Sequence, residues 1–360
     1  MNQVEEWIAE GNYKPIEEKL KQAENLLPNQ LRSQYEQLLF QYAQGQYEEV
    51  FRLMESLLEK EVPLESEEAK VISECYSVAA NAAFDRQDYG LSAEYWKKAM
   101  DYWPTEISYC RDYAIAVARN GELEEADRIL SQAIDRGIKE DSVYLAEGEI
   151  AHTKGEYRKA EQYFKKCLAS SQEDYIRMRA YVICSMTYQE GKEVWKDGDK
   201  KAIRLLEQAD EELPDTQNLV VHSKLIEAYV DYGKKQKSTS WYRKAIGILE
   251  DDISAGRKDY QNMANLSLLY RKTGDNKKSG EILLQMLEDY GERYDTYKKL
   301  AFLEADIQSS LANNRRSYEK FAAYYKKAFK LYKKQAGQND SEMDYLNQIY
   351  GELVKGKWLK

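Results

Sequence analysis

Proline is scarce, with five in 360 residues, and Pro104 and Pro214 stand where a helix would end rather than inside one. Pro28 and Pro63 close helical stretches in the same way. Alternating β-branched runs are missing too. With abundant Ala, Leu, Lys and Glu, these absences argue against a sheet protein and predict an almost wholly helical chain. Histidine occurs only twice, as His152 and His222, and neither belongs to an HExxH pair. Each is expected to be a surface or partner-facing imidazole. The strings GxxxxGK[ST], GxGxxG and GxSxG do not occur, so the recognisable phosphate-cradling loops and nucleophile elbow are absent. The 63 acidic residues make chance proximity of carboxylates common, which is no sign of a catalytic pair. No enzymatic activity, cofactor or metal is expected.

Cysteine is rare as well. Cys75, Cys110, Cys167 and Cys184 lack paired metal-ligand spacing and fall in predicted helices, so buried thiols are expected. That suits a cytoplasmic location, or an extracytoplasmic one if the chain is excised from a membrane-anchored protein. No apolar run approaches ~18 residues and no basic-then-apolar leader opens the chain, so direct membrane insertion is not expected. The net charge of −10 argues against nonspecific nucleic-acid binding, which rewards a basic footprint. Residues 315–360 nevertheless carry eleven Lys/Arg against five Asp/Glu. Solvated helix faces and a lysine-rich capping helix are expected there.

What the chain does contain is a repeat. Gly121, Leu123, Ala126, Leu130 and Ala133 recur as Gly155, Tyr157, Ala160, Phe164 and Cys167, thirty-four residues later. The spacing predicts a turn and then a helix with a buried stripe at i, i+3, i+7 and i+10. A small residue is needed where that helix crosses its partner, and the glycine permits the left-handed turn between the two. By the small-residue site, nine copies are expected, at Ile16, Val50, Ser92, Ala126, Ala160, Ala202, Ser238, Ser279 and Phe321.

This pattern resembles the tetratricopeptide repeat, a helix-turn-helix unit of about 34 residues; Gln87-Asp88-Tyr89, Ser92, Trp96, Ala99 and Pro104 match it best. The resemblance implies an all-α, right-handed superhelical solenoid of about nine hairpins plus a C-terminal capping helix. One solenoid is expected over 1–360, most regular over 73–172 and irregular over 290–360. A short opening helix over 1–10 is expected to place Trp7 and Ile8 over Tyr13, Ile16 and Leu20. An enlarged loop is expected over 190–198, extra residues over 309–316, and a closing helix over 343–353. Gly233, Ser238, Tyr242 and Ala245 are read as the seventh unit. Among thirty tyrosines, Tyr89, Tyr157, Tyr229, Tyr242 and Tyr270, with Trp96, fall at buried sites of the pattern, whereas Tyr35, Tyr42 and Tyr324 are free to face a partner.

The family's function implies a protein- or peptide-binding scaffold that uses the concave face made by the first helices. The binding residues expected on that face are Ser77, Asn81, Arg111, Glu149 and His152, flanked by Phe84 and Tyr144. Asn, Arg and His suit directed hydrogen bonds to a peptide backbone or carboxylate. The composition is also similar to repeat regions attached to membrane Ser/Thr kinases of Gram-positive anaerobes. That alternative implies a sensing or regulatory part of a larger bacterial signalling protein.

Overall fold

The computed structural model describes residues 3–9, 15–16, 18–20, 31–55, 62–63, 66–334, 340–356 and 358. Tyr13, Pro28 and Glu65 lie outside them. Among the described residues there is no strand. The chain divides into two compact units, residues 1–228 and 229–360.

In unit one the helices are α1 (Gln3–Ala9), α2 (Leu31–Ala43), α3 (Tyr47–Glu55), α4 (Glu67–Asp85), α5 (Tyr89–Tyr102), α6 (Ser108–Arg119), α7 (Leu123–Asp135), α8 (Glu140–Thr153), α9 (Tyr157–Ser170), α10 (Asp174–Glu190) and α11 (Gly198–Glu212). Helix α12 (Asp215–Gln236) runs across the division. Unit two continues with α13 (Thr239–Ser254), α14 (Tyr260–Thr273), α15 (Asn276–Tyr290), α16 (Tyr294–Ser310), α17 (Glu319–Tyr332) and α18 (Ser341–Lys355). The pairs α2/α3, α4/α5, α6/α7, α8/α9, α10/α11, α14/α15 and α16/α17 pack as hairpins, and first helices of adjacent hairpins also touch, as α2 does α4, α6 does α8 and α8 does α10.

The turn chemistry fixes the register. Gly45, Gly121, Gly155 and Gly274 have φ of +69°, +93°, +74° and +88°, and five residues after each comes the fully buried crossing residue: Val50, Ala126, Ala160 or Ser279. Gln87 takes the same left-handed conformation five residues before Ser92. At Gly121 the turn is closed by Gly121 N–H donating to Ala118 O (3.0 Å) and Glu122 N–H to Val117 O (3.1 Å), the bonding that satisfies the last carbonyls of a helix.

That geometry corrects the seventh unit. Ser238 is half-buried at the start of α13, not at a crossing. The left-handed residue is Lys237 (φ +50°), with Ser238 N–H donating to Gly233 O at 3.0 Å, so the crossing residue is Tyr242. Gly233 is no turn glycine. It lies inside α12, where a Cβ would come 3.0 Å from the Tyr242 ring. Large and small have exchanged helices at this crossing, which keeps the backbones close with a ring in place of alanine.

The enlarged loop, the long connection and the closing helix are present with adjusted bounds. Gly191–Asp197 is the enlarged loop, with Trp195 edge-on to Tyr188 at 4.9 Å between ring centroids. Residues 311–318 form the long connection before α17, containing a 3-10 turn at Asn313–Arg315 and held by Arg316 donating to Leu311 O (2.9 Å) and Ser309 O (3.0 Å). In α18, Met343 and Leu346 are buried against unit two's core. The lysine-rich helix is α17, not this closing helix, which carries Glu342, Asp344 and Glu352. Val4, Ile16, Leu20 and Phe40 form a small cluster with Trp7 and Ile8 packed on it. Tyr35, expected to be free, is 8% exposed and belongs to the core.

All four cysteines are buried free thiols. Burial pushes Cys167 and Cys184 up to about 12 and raises Cys110 as well. Only thiolates attack a disulfide reagent at useful rates, so the native protein is expected to react negligibly with Ellman's reagent at pH 8. All four thiols should titrate once urea unfolds it. Stoichiometric reaction of folded protein within minutes would contradict the placement of these helices.

Candidate functional site

Two of the five expected site residues meet on the first helices of unit one, through residues the sequence reading did not single out. Arg111 on α6 is 7% exposed and pairs with its neighbour Asp112 (Nη2 to Oδ2, 2.5 Å), with Nη1 3.5 Å from the Ser142 hydroxyl. Arg179 on α10 donates through Nη1 to Asp112 Oδ1 at 2.5 Å and through Nε to Glu149 Oε1 on α8 at 2.6 Å. Two guanidinium and two carboxylate groups thus form a neutral, largely buried network joining three hairpins.

The geometry of the network reports curvature. Packed helices lie about 8–10 Å apart, so on a flat layer α6 and α10 would be separated by about 16–20 Å with α8 between them. Arg179 nevertheless spans α8 to reach Asp112. First helices must therefore bend inward here. Asp85 on α4 accepts hydrogen bonds from Tyr42 (2.9 Å) and Tyr47 (3.4 Å), and burial raises its pKa against the pull of both phenols and of Arg179. Tyr42 is pushed well above the usual phenol range by burial first, then by Asp85 and by Tyr175 on α10. It is occupied by Asp85, not free. A cleft of 390 Å³ beside the network is lined by Ser108, Arg111, Lys139, Ser142 and Glu173 among others.

The other expected residues lie apart from the network's ion pairs. Ser77 is half-buried and donates to Glu74 O at 2.8 Å. Asn81 is half-buried, and its side chain has no hydrogen bond among the described residues. His152 is 4% exposed, which corrects the expectation of a surface imidazole. Its Nδ1 lies 3.0 Å from the Thr187 hydroxyl, which itself donates to Ile183 O at 2.8 Å. Its other ring nitrogen, Nε2, faces Glu190 at 3.5 Å. Burial, with Arg119 adding to it and Glu190 opposing, holds His152 below its ordinary pKa. The second histidine, His222, is half-buried against Asp210 at 2.7 Å.

Similar solved structures are a tetratricopeptide repeat protein from Parabacteroides merdae (16% identical, covering 76% of this chain and 96% of that one, TM-score 0.35), Pseudomonas aeruginosa pilF (13%, 68% and 99%, TM-score 0.38) and a human IFIT1 dimer with m7Gppp-AAAA (14%, 91% and 79%, TM-score 0.42). The chain's own hairpins are all-α, and at Gly45, Gln87, Gly121, Gly155 and Gly274 a left-handed turn residue stands five positions before a buried crossing residue. No family model and no curated protein matches the chain. Among the described residues no group of three His, Cys, Asp or Glu could hold a metal, and no helix is long and apolar enough to cross a membrane.

The signal that could have found Arg179 was in the repeat itself. Arg111 and Arg179 occupy the same position two repeats apart, sixty-eight residues along the chain.

Proposed function

We propose that the inward-curved face of unit one's first helices binds a segment of another protein, and that the chain acts as a non-enzymatic scaffold. The observation that carries this reading is hydrogen-bonding capacity left unspent on successive first helices. The Asn81 amide on α4, Nε of Arg119 on α6 and Oε2 of Glu149 on α8 have no hydrogen-bond partner among the described residues. A buried polar atom without a partner costs on the order of 1–3 kcal/mol, a cost that a bound polypeptide backbone could offset. Arg111 then acts mainly by fixing the wall of the cleft, since its charge is already matched by Asp112.

Affinity purification from the native cell followed by mass spectrometry supplies the partner, and binding is then compared between variants. Asn81→Ala and Arg119→Ala are each expected to weaken it about tenfold, one lost directed hydrogen bond being worth about 1.5 kcal/mol. Lys165→Glu is the control, because that side chain is exposed and pairs only with Glu161. Arg111→Glu is unsuitable, since it would set two carboxylates side by side in a buried place. Unchanged affinity for both inner-face variants, with native circular dichroism, would place binding elsewhere.

A further inference from the structure

Charge is segregated between the two units. Residues 1–228 carry 28 Lys/Arg against 45 Asp/Glu, and residues 229–360 carry 25 against 18. Unit one is thus −17 and unit two +7. The positive charge is concentrated on one helix, α17. Its buried side consists of Phe321, Ala322, Tyr325 and Ala328. At 100° per residue, Lys320, Lys326, Lys327 and Lys330 fall in one arc of about 120° on the opposite side, with Glu319 the single acidic residue among them, and Lys333 and Lys334 follow directly after the helix.

An ordinary solvated helix face alternates signs, as on α9, where Lys165 pairs with Glu161. On α17 only Lys327 has a carboxylate, Glu292, at 2.7 Å, and Lys333 lies over the Phe329 ring at 4.5 Å. Among the described residues Lys320, Lys326, Lys330 and Lys334 are exposed and have no carboxylate within salt-bridge distance. Like charges three and four residues apart destabilise a helix by about 0.2–0.5 kcal/mol per pair. Among the described residues only Glu292, paired with Lys327, and Glu319 in the first turn offset this repulsion.

We propose that the lysine face of α17 is a second docking surface, separate from the inner face of unit one, and that it takes a short carboxylate-rich polypeptide segment. The face extends about 15 Å along the helix from Lys320 to Lys330, with Lys333 and Lys334 just past its end, enough for two to three turns of acidic helix or a strand-like stretch of about five residues. A lipid surface is disfavoured by the shape of the helix: an interfacial helix must bury an apolar arc in the bilayer, and this apolar arc is buried in unit two. A nucleic acid is disfavoured by chemistry. The outer face has no arginine fork and no fully exposed ring on which a base could stack. A short acidic segment makes the contacts without extending past them. Lysines meet carboxylates here as solvated point charges, so association would be fast and steeply salt-dependent.

The test is fluorescence anisotropy with a labelled fifteen-residue oligoglutamate, titrated with the full chain in 50 mM and 300 mM salt. The triple variant Lys326→Glu, Lys330→Glu, Lys334→Glu should bind at least tenfold more weakly at low salt, and raising salt should weaken the native chain's binding by a similar factor. Lys277→Glu, a change at a residue 87% exposed elsewhere in unit two, should shift affinity less than twofold. Circular dichroism melts report whether the variants fold. Binding by the triple variant equal to that of the native chain would overturn the proposal. So would oligouridylate of equal charge binding as tightly and competing, or cosedimentation with phosphatidylserine vesicles that Lys326→Glu abolishes, since either would give the face to a different partner.

Discussion

Arg179→Ala is expected to destabilise unit one by about 3–5 kcal/mol, the loss seen when one partner of a buried charge network is removed and the others stay behind. Asp112 would keep only Arg111, and Glu149, 1% exposed, would lose its sole charged partner. The pH dependence gives the loss a signature. Burial alone would raise the Asp112 pKa, but Arg111 and Arg179 together outweigh burial and hold it below the ordinary carboxylate value. Its contribution is therefore full above the unfolded-state pKa of about 4 and is lost as pH falls through the lower folded value. Without Arg179 the folded value rises, and the variant should unfold at milder acidity than the native chain. Urea titration at pH 7 measures the loss, and acid titrations of both proteins carried below about pH 4 measure the shift in unfolding pH. A loss below about 1 kcal/mol at pH 7 would mean that the network is solvated rather than buried.

Gly148→Ala is expected to cost about 2–3 kcal/mol, although alanine is the better helix former. A Cβ at this position would lie 2.6 Å from Cε1 and 2.8 Å from Cδ1 of Phe164. Phe164 is fully buried on α9, with Ala160 and Cys167 of the same stripe also at 0% exposure, so its ring has nowhere to turn. Gly247→Ala supplies the contrast. Gly247 is inside α13 with nothing within 4 Å of a Cβ, and the same change there should stabilise by about 0.5–1 kcal/mol. Equal urea midpoints for the two variants would contradict the packing of α8 on α9.

How far the sequence spoke depended on what each residue type must do. Ala126 and Ala160 were legible because a helix crossing demands a small side chain, and Gly121 and Gly155 because the turn demands positive φ. The seventh unit was misread for the same reason. Ser238 looked like the required small residue, whereas the structure meets the demand with Gly233 on the other helix and puts Tyr242 at the crossing. A search along one helix cannot see an exchange between two. At the inner face, helical spacing placed Ser77, Asn81, Arg111, Glu149 and His152 on first helices, but their burial was not readable. It follows from curvature, which brings Arg179 of α10 to Asp112 of α6 and depends on packing between hairpins. Asp112, Arg179 and Asp85 were therefore missed, charged residues being usual on any helix surface. The lysine arc of α17 was visible as composition only, and its one-sidedness required the helix bounds.

The central claim is that unit one's first helices curve far enough for residues two hairpins apart to act on each other. A double-mutant cycle of Arg179→Ala and Asp112→Ala, read by urea unfolding at pH 7, tests it most directly. The account predicts a coupling of about 1–3 kcal/mol, with the double variant losing much less than the two single losses combined. Additivity within about 0.5 kcal/mol would mean that Arg179 and Asp112 do not meet, and would contradict the inward-curved face.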